Sequence, residues 1–252
     1  MFHIREQVPA AGEARYDIEW AITDRHFLSD TADHPFTLGG RDPSWAPRIR
    51  ANRAALGAAL GVEPGGVRFM KQVHGAQVAC VSGSLEDPEG APTCDALITH
   101  DPTIAVAVLV ADCTPVLLWD AAAGTVAAVH AGREGFLNGV LLNCLDQMRA
   151  QGAEEVQALV GPSICGRCYE VPPQMRAEAA AEHPSAYTVS WTGTAAIDIS
   201  ASVVAQLGGA GVPVRWLSGC TRESPNLFSH RADPAAGRFA AVVRLRERAD
   251  AA

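Results

Sequence analysis

The stretch IAVAVLVADCTPVLLWDAAAGTVAAVHAGREG, residues 104–135, contains the most apolar part of the chain. Ile104–Val110 is a continuous apolar run rich in β-branched residues, which is typical of a buried strand. Val116–Trp119 and Thr125–His130 predict two further strands, joined by a turn at Asp120–Gly124. The stretch therefore predicts a β-sheet at the centre of the fold.

The sequence on either side of this stretch predicts both strands and helices. Further strands are predicted at Tyr16–Ile22, Val67–Gln72, Gln77–Val81, Ala96–Thr99, Val156–Val160, Val212–Leu217 and Arg238–Arg244. Helices are predicted at Trp45–Leu60, from Gly135 to about Arg149, at Met175–Ala181 and at Ile199–Leu207. Val67–Gln72 and Gln77–Val81 are expected to pair with each other. Strands come in runs with helices between some of them, which predicts an α+β fold with mixed sheets.

Length, charge and hydropathy limit the class of protein. The chain has 252 residues without a Pro/Gly/Ser linker, so we predict a single domain over residues 1–252. Its net charge is −8 and it has no Lys/Arg-rich run, which argues against nucleic acid as a partner. Ile104–Trp119 is interrupted by Asp112, Cys113 and Pro115 and is shorter than the about 20 residues that cross a bilayer.

The N-terminus lacks the basic and apolar regions of a signal peptide, so we predict a cytoplasmic protein that binds no membrane. The seven cysteines are therefore not expected to form a disulfide framework. Cys165-Gly-Arg-Cys168 is a lone C-x-x-C without a second such pair, which argues against a zinc ribbon, and its context does not favour redox function. The loop around it, GPSICGRCYEV, is shaped by Gly and Pro and could line a pocket. No coiled coil or interface helix predicts an oligomeric state.

Three segments place a metal-binding side chain where a strand meets a loop. They are KQVHGAQV with His74, VLVADCTPVLLWD with Cys113, and VAAVHAGREG with His130. One thiolate and two imidazoles suit Zn²⁺, and three protein ligands leave a position open for water or substrate. Taken singly, such residues are more often structural, and their separations of 39 and 17 residues match no short metal motif. A Cys113–His130 nucleophile pair beside Asp112 is the other interpretation of the same residues.

Two arginines follow or precede predicted strands. Arg25 lies in TDRHFLSD after the first strand, and Arg231 lies in NLFSHRADPAAGRFA before the last. Arginine at such positions can bind phosphate through paired hydrogen bonds, although most surface arginines are simply solvated.

Read together, six segments occur in the order found in one family. They are KQVHG, DALIT, ADC-x-PVLLWD, VHAG-x-x-G, GPSI-x-x-x-CYEV and LFSHRAD-x-x-x-GRFA. The chain thus resembles, from about Asp17 to Leu245, the multicopper polyphenol oxidase or laccase-domain family. That family includes purine nucleoside phosphorylases of this fold and proteins called peptidoglycan editing factors.

The resemblance implies a zinc site formed by the His of KQVHG, the Cys of ADC and the His of VHAG, which here are His74, Cys113 and His130. It also implies a single α+β domain whose mixed sheets are sandwiched by helices. Purine nucleosides and phosphate are the implied substrates, with phosphorolysis of adenosine, inosine, guanosine and methylthioadenosine and deamination of adenosine. Two alternatives are an amidase that removes serine from a muramic-acid peptidoglycan precursor and a non-catalytic metal-binding protein.

Site roles follow from this expected chemistry. The residues expected to bind substrate are Arg25, Cys168, Tyr169 and Arg231, and those expected to be catalytic are Cys113, His130 and Asp112. Protonation of the departing purine would fall to Asp112 or Glu170. Two departures from the family pattern stand out, Arg133-Glu134 where members carry Trp-Arg, and Thr37 where they often carry Asn.

Copper oxidation is not expected from this sequence. A multicopper oxidase needs a His₂Cys copper site and a trinuclear cluster, about ten histidine ligands in all. The chain has eight histidines and no His-x-His pair. Cu²⁺ can nevertheless replace Zn²⁺ at a mixed His/Cys site, because it stands above zinc in the affinity order.

Overall fold

The computed structural model describes residues 2–12, 14–26, 35–83 and 90–248. Within them the strands are β1 (Phe2–Val8), β2 (Tyr16–Thr23), β3 (Val67–Arg68), β4 (Val78–Cys80), β5 (Ala96–Thr99), β6 (Ala105–Val110), β7 (Thr114–Asp120), β8 (Thr125–Ala131), β9 (Gln157–Val160), β10 (Tyr187–Val189), β11 (Ala195–Ile197), β12 (Val214–Trp216) and β13 (Phe239–Glu247). The helices are α1 (Ala46–Leu60), α2 (Arg133–Leu137), α3 (Val140–Ala150), α4 (Pro173–Glu182) and α5 (Ile199–Gly209).

Two mixed sheets form the centre of the molecule. One has five strands in the order β1-β2-β13-β6-β3, and the other has six in the order β12-β9-β7-β8-β5-β4. The pairs β3–β6, β4–β5 and β9–β12 are parallel, and the other pairs within these two sheets are antiparallel. Strands β10 and β11 form a separate antiparallel pair.

The central strands are apolar on both faces because each face is covered. Along β7, Leu117 and Trp119 pack toward the five-stranded sheet, while Val116 and Leu118 pack toward helices. The alternation of side chains along a strand sends neighbouring residues to opposite faces. This is why the segment beginning at Ile104 contains so few polar residues.

Helices cover the outer faces of both sheets. Leu141 and Leu145 of α3 and Val203 of α5 pack on the six-stranded sheet, and Leu56 and Leu60 of α1 pack on the five-stranded sheet. The layers are therefore helix, sheet, sheet and helix. This arrangement confirms the expected α+β fold with mixed sheets sandwiched by helices. In the part of the chain that the structure describes, no helix is both long and apolar enough to cross a membrane.

The predicted pairing of Val67–Gln72 with Gln77–Val81 is wrong. Strand β3 pairs with β6 in the five-stranded sheet, and β4 pairs with β5 in the six-stranded sheet. The chain between them crosses from one sheet to the other and carries His74 with it. The predicted helix from Gly135 to Arg149 is also two helices, because the backbone at Gly139 has φ 87°, which an α-helix cannot accommodate.

Candidate metal centre

Two connections that cross between the sheets meet at the end of β8. His74 lies between β3 and β4, and Cys113 lies between β6 and β7. His130 is the second-last residue of β8. The ligand atoms of these three side chains lie within 4.8 Å of one another. The structure thus brings together the three residues singled out in the sequence, and we call them the cavity cluster.

The geometry of the cavity cluster fits a tetrahedral ion. Cys113 Sγ lies 3.7 Å from His74 Nε2. With Zn–S of about 2.3 Å and Zn–N of about 2.0–2.1 Å, tetrahedral angles place such atoms about 3.6 Å apart. The rings of His74 and His130 meet edge to face, with centroids 4.7 Å apart. The sulfur and the His74 nitrogen thus stand at nearly the spacing that zinc requires, and the His130 ligand atom lies within 4.8 Å of both.

A buried carboxylate holds the cavity cluster from behind. Asp95 is fully buried, and its Oδ1 accepts a hydrogen bond of 2.7 Å from His130 Nδ1. The backbone N–H groups of Val73, His74 and Gly75 donate to the same carboxylate at 3.2, 3.0 and 2.7 Å. A carboxylate of this kind fixes a histidine ligand with its other nitrogen free for the metal. Asp95 therefore positions two of the three ligands at once.

The sequence analysis did not pick out Asp95 as a site residue, although it opens the DALIT segment. Burial would raise the pKa of its carboxyl, but the hydrogen bonds from His130 and from the backbone N–H groups outweigh burial and lower that pKa. Its position directly before a buried strand was the available signal. A carboxylate at a strand start is common, however, and only the structure shows what it contacts.

Glycine at position 132 permits the close approach of the cluster residues. A Cβ atom at Gly132 would lie 2.6 Å from His74 Cδ2 and 3.3 Å from Cys113 Sγ. A side chain at this position would therefore displace two ligands. The glycine of VHAG is therefore required by the space that the ligands occupy, since its backbone conformation, with φ −72°, is open to any residue.

Cys113 and His130 shift each other's pKa. Burial would raise the pKa of the Cys113 thiol, but the charges and hydrogen bonds of His130 and His74 lower it to about 6. Burial would lower the pKa of His130, but the Cys113 thiolate and Asp95 raise it to about 9. Without an ion, the pair thus exists as thiolate and imidazolium near neutral pH. The thiolate is the form that binds metals and attacks electrophiles.

The cavity cluster opens onto a cavity of about 370 Å³. His74 and Cys113 of the cluster line it, and the walls include Arg133, Tyr169, His230 and Arg231, while His130 is buried behind the lining. The Arg231 guanidinium lies over the Tyr169 ring, 5.1 Å from its centroid, and donates to the carbonyl oxygen of Glu170 at 3.0 Å. Arg133 pairs with Glu134 at 2.7 Å. The cavity therefore combines a metal-binding floor with cationic and aromatic walls.

Asp112 joins the loops around the cavity. Its backbone has φ 90°, which is unusual for a residue with a side chain. Its carboxylate accepts hydrogen bonds of 2.6 Å from the Thr221 hydroxyl and 2.6 Å from the Arg231 N–H. Asp112 lines the cavity as well. One carboxylate oxygen thus holds the backbone of Arg231 and the other holds the loop at Thr221.

Of the four residues predicted to bind substrate, two line the cavity and two do not. Tyr169 and Arg231 line the cavity, whereas Arg25 and Cys168 lie outside its lining. The Arg25 guanidinium lies over the ring of Phe228 at 5.3 Å. Cys168 is buried among other cysteines. Substrate contact remains a prediction for all four.

The two departures from the family pattern occupy different places. Arg133 lines the cavity although it stands one position earlier than the arginine of the usual pattern. Thr37 is fully buried, and its hydroxyl oxygen accepts the N–H of Arg238 at 3.0 Å. The first departure thus keeps a cation at the site, and the second serves the packing of the loop before β13.

A helix-flanked pair of mixed sheets with a His₂Cys cluster beside a cavity defines an α+β protein with a candidate metal centre. The family model described as multi-copper polyphenol oxidoreductase laccase matches residues 23–246, so the chain belongs to that family. Among the described residues, the two groups that could hold a metal contain two histidines in all. This inventory provides no trinuclear histidine cluster, despite the family's description.

Relatives of the chain carry names from purine metabolism. A Streptomyces coelicolor protein named purine nucleoside phosphorylase is 47% identical over 211 residues, which cover 82% of this chain and 87% of that protein. A protein named adenosine deaminase RL5, from an unknown prokaryotic organism, is 33% identical over 202 residues, covering 74% of this chain and 77% of that protein.

Solved structures share the whole fold. A Neisseria meningitidis protein has a TM-score of 0.76 and 29% identity, covering 96% of this chain and 98% of its own. YlmD from Geobacillus stearothermophilus has a TM-score of 0.78 and 24% identity, covering 96% of this chain and 100% of that chain. At 24% identity, the similarity to YlmD shows only that the two proteins share a fold.

Proposed function

We propose that this protein is a zinc-dependent purine nucleoside phosphorylase that acts on adenosine, inosine, guanosine and methylthioadenosine and also deaminates adenosine. The observation that carries the proposal is the cavity cluster, which opens onto a cavity walled by Arg133, Tyr169 and Arg231. The names of the relatives support the same chemistry.

The residues fit zinc better than any harder ion. His74, Cys113 and His130 offer one thiolate and two imidazoles, which is a donor set that Zn²⁺ accepts and Mg²⁺ avoids. When bound there, zinc supplies a Lewis acid that polarises a substrate oxygen or lowers the pKa of a bound water. Cu²⁺ is the expected substitute in vitro.

Phosphate binding is assigned to the two arginines that line the cavity. Arg231 is fixed by its N–H bond to Asp112 and its side-chain bond to Glu170, so its guanidinium is ordered before substrate arrives. Arg133 approaches from the start of α2. Two guanidinium groups in one cavity can bind an anion by charge-assisted hydrogen bonds and orient it for attack at C1′ of the ribose.

The nucleoside would occupy the remaining space beside Tyr169. A cavity of about 370 Å³ lies within the about 300–1,000 Å³ typical of small-molecule sites. Aromatic side chains commonly contact purine rings through their faces and edges. One face of Tyr169 already bears Arg231, so the arginine and the tyrosine form one continuous wall.

A proton must reach the purine as it leaves, and His230 is the residue we assign to this role. Its Nδ1 donates to the carbonyl oxygen of Pro234 at 3.2 Å, so the imidazolium form of His230 is the one that has a second proton, on Nε2, to give to a purine in the cavity that the residue lines. Asp112 is instead proposed to position Arg231, because both its oxygens accept hydrogen bonds from other loops. Glu170 lies outside the lining, and its carboxylate accepts the Thr192 hydroxyl at 2.5 Å.

The test is turnover of adenosine by the purified, metal-analysed protein with and without phosphate. Chromatography separates adenine and ribose 1-phosphate, the products of phosphorolysis, from inosine, the product of deamination. We expect adenine only with phosphate, and loss of both products in His74→Ala and Cys113→Ser. Cys80→Ser is the matched control, because Cys80 is exposed on β4 and is not among the residues that line the cavity.

A zinc-loaded protein that turns over no nucleoside would contradict the proposal. The amide of the muramic-acid precursor would then be the substrate to assay. Turnover that is unchanged in both ligand variants would contradict the zinc assignment while leaving the nucleoside assignment intact.

A further inference from the structure

A second group of metal-binding side chains lies outside the cavity. It consists of Cys165, Cys168, Cys220 and Glu223, whose ligand atoms all lie within 4.8 Å of one another. The three cysteines carry free thiols. We call this group the loop cluster, and none of its members lines the cavity.

Two turns of the same kind present these four side chains. The Cys168 N–H donates to the Cys165 carbonyl at 2.9 Å, and the Glu223 N–H donates to the Cys220 carbonyl at 3.2 Å. Each turn thus offers two ligands three residues apart, Cys-x-x-Cys in one and Cys-x-x-Glu in the other. Paired turns of this form are how proteins build closed tetrahedral sites.

Backbone contacts hold the two turns side by side. Ser163 forms a parallel bridge with Cys220, and the Thr221 N–H donates to the Ser163 carbonyl at 3.0 Å. The Cys165 N–H points at the Cys220 sulfur at 3.5 Å, and the Cys168 sulfur lies 3.4 Å from Glu223 Oε1. The four ligand atoms are therefore placed by the backbone of both loops.

We propose that the loop cluster binds a structural zinc ion, with Cys165, Cys168, Cys220 and Glu223 as its four ligands. Tetrahedral zinc with Zn–S of about 2.3 Å separates its sulfur ligands by about 3.7 Å, so only a small closure from the present spacing is needed. Thiolate-rich sites select zinc over magnesium or calcium. Four protein ligands leave no open position, in contrast to the cavity cluster.

The expected effect of this zinc is to fix one wall of the cavity. Tyr169 follows Cys168 directly and lines the cavity. Thr221 follows Cys220 directly and donates to Asp112, which in turn accepts the N–H of Arg231. An ion that joins the two turns therefore restrains Tyr169 and Arg231 together without contacting substrate.

The loop cluster could not be recognised from the sequence because its second pair of ligands is Cys220 and Glu223 rather than two cysteines. Cys165 and Cys220 are 55 residues apart, and so are Cys168 and Glu223. A search for a second C-x-x-C passes over C-x-x-E. The equal spacing follows because each turn places its two ligands three residues apart.

Metal analysis of the full-length protein by mass spectrometry tests the proposal. We expect two zinc ions per wild-type chain, one in Cys165→Ser/Cys220→Ser, one in Cys113→Ser, and two in the control Cys80→Ser. A wild-type chain with one zinc, lost in Cys113→Ser and kept in the double variant, would overturn the proposal. Stoichiometric iron or copper in the loop cluster would overturn the assignment of zinc.

Two measurements keep the test decisive if the double variant fails to fold. Glu223 is exposed, so Glu223→Gln should fold, and we expect it to lose one of its two zinc ions at a lower chelator concentration than wild type does. After cobalt replaces zinc in Cys113→Ser, the thiolate-to-cobalt absorption should correspond to three Co–S bonds. The absence of this absorption in Cys113→Ser would contradict the proposal. A count of fewer than seven titratable thiols in the unfolded, metal-free wild type would also contradict it, because it would indicate a disulfide.

Discussion

The cavity cluster and the loop cluster use similar side chains in different surroundings. The first has three ligands on strand ends and crossings, backed by the buried Asp95, and it opens onto a cavity. The second has four ligands on two turns, with Glu223 exposed and no member in the cavity lining. Three ligands that leave an open position beside a cavity suit chemistry, whereas four ligands on turns suit the joining of loops. The two proposed roles differ in the number of ligands and in the residues that support them, not in the type of ligand.

Removing a ligand from each cluster should give the largest difference between them. Cys113→Ser takes a group from the cavity floor, so we expect kcat/KM for adenosine phosphorolysis to fall by more than the about 10–100-fold that loss of an outer-shell partner costs. Cys165→Ser/Cys220→Ser removes no group from the cavity and should raise KM more than it lowers kcat. Steady-state kinetics measure kcat and KM for both variants. An equal loss of kcat in the two variants would contradict the proposed difference in role between the two clusters.

Asp95 should matter for the cavity cluster alone. Asp95→Asn weakens the hold on His130 Nδ1 and on the turn at His74, so we expect zinc affinity at this cluster to fall by about 10–100-fold. A competition titration with a chelator measures it.

Asp120→Asn is the matched control for this prediction. Asp120 is also buried, and its carboxylate accepts the N–H groups of Ala123, Glu154 and Glu155 far from either cluster. It should lower stability and leave zinc affinity unchanged. If both variants weaken zinc equally, Asp95 acts only through overall stability.

Arg231→Ala tests the cationic wall that both clusters are proposed to serve. A hydrogen bond to a charged group contributes about 1.5–3 kcal/mol, and each 1.4 kcal/mol is about tenfold, so KM for phosphate should rise by about 10–100-fold. Arg25→Ala should have a smaller effect, because Arg25 packs over Phe228 outside the cavity lining. Initial rates at varied phosphate decide, and a larger effect of Arg25→Ala would reverse the assignment.

The smallest expected effect is the reactivity of Cys113 relative to that of an ordinary thiol in the zinc-stripped protein. The pKa of Cys113 is lowered to about 6, so its alkylation rate should reach half its maximum near pH 6 and stay constant above. Burial and the neighbouring cysteines raise the pKa of Cys168 to about 12, so that thiol should remain unreactive across neutral pH. The rate advantage of Cys113 at pH 7 should be only several-fold over an ordinary thiol, because nucleophilicity falls as the pKa falls.

Peptide mapping after iodoacetamide treatment from pH 5 to pH 9 measures these rates. In His130→Ala the midpoint for Cys113 should move upward, because the charge that stabilises the thiolate is gone. A midpoint that stays near pH 6 in that variant would show that His130 is not the cause.

The sequence was informative wherever a local pattern determines the structure. Ile104–Val110 and Thr125–His130 are predicted as strands because burial on both faces leaves an unbroken apolar run. The cavity cluster could be proposed because two imidazoles and a thiolate at strand ends are an unusual set. Their convergence could not be shown by spacing, and the resemblance to a family provided it.

What the sequence could not reveal depends on contacts between distant segments. The segments that form β3 and β4 are predicted to pair with each other, yet they pair with strands of different sheets. Asp95 resembles any acidic residue before a strand until His130 and the turn at His74 are seen to converge on it. Glu223 gains meaning only when its turn faces Cys165 and Cys168. In each case the decisive partner is remote in sequence.

The most direct test of the central claim is a zinc titration of the metal-free protein, with phosphate-dependent release of adenine from adenosine as the readout. We expect that activity rises with bound zinc, saturates when the cavity cluster is filled, and stays absent in Cys113→Ser at every zinc concentration. Full activity of the metal-free wild-type protein, or of Cys113→Ser, would contradict it.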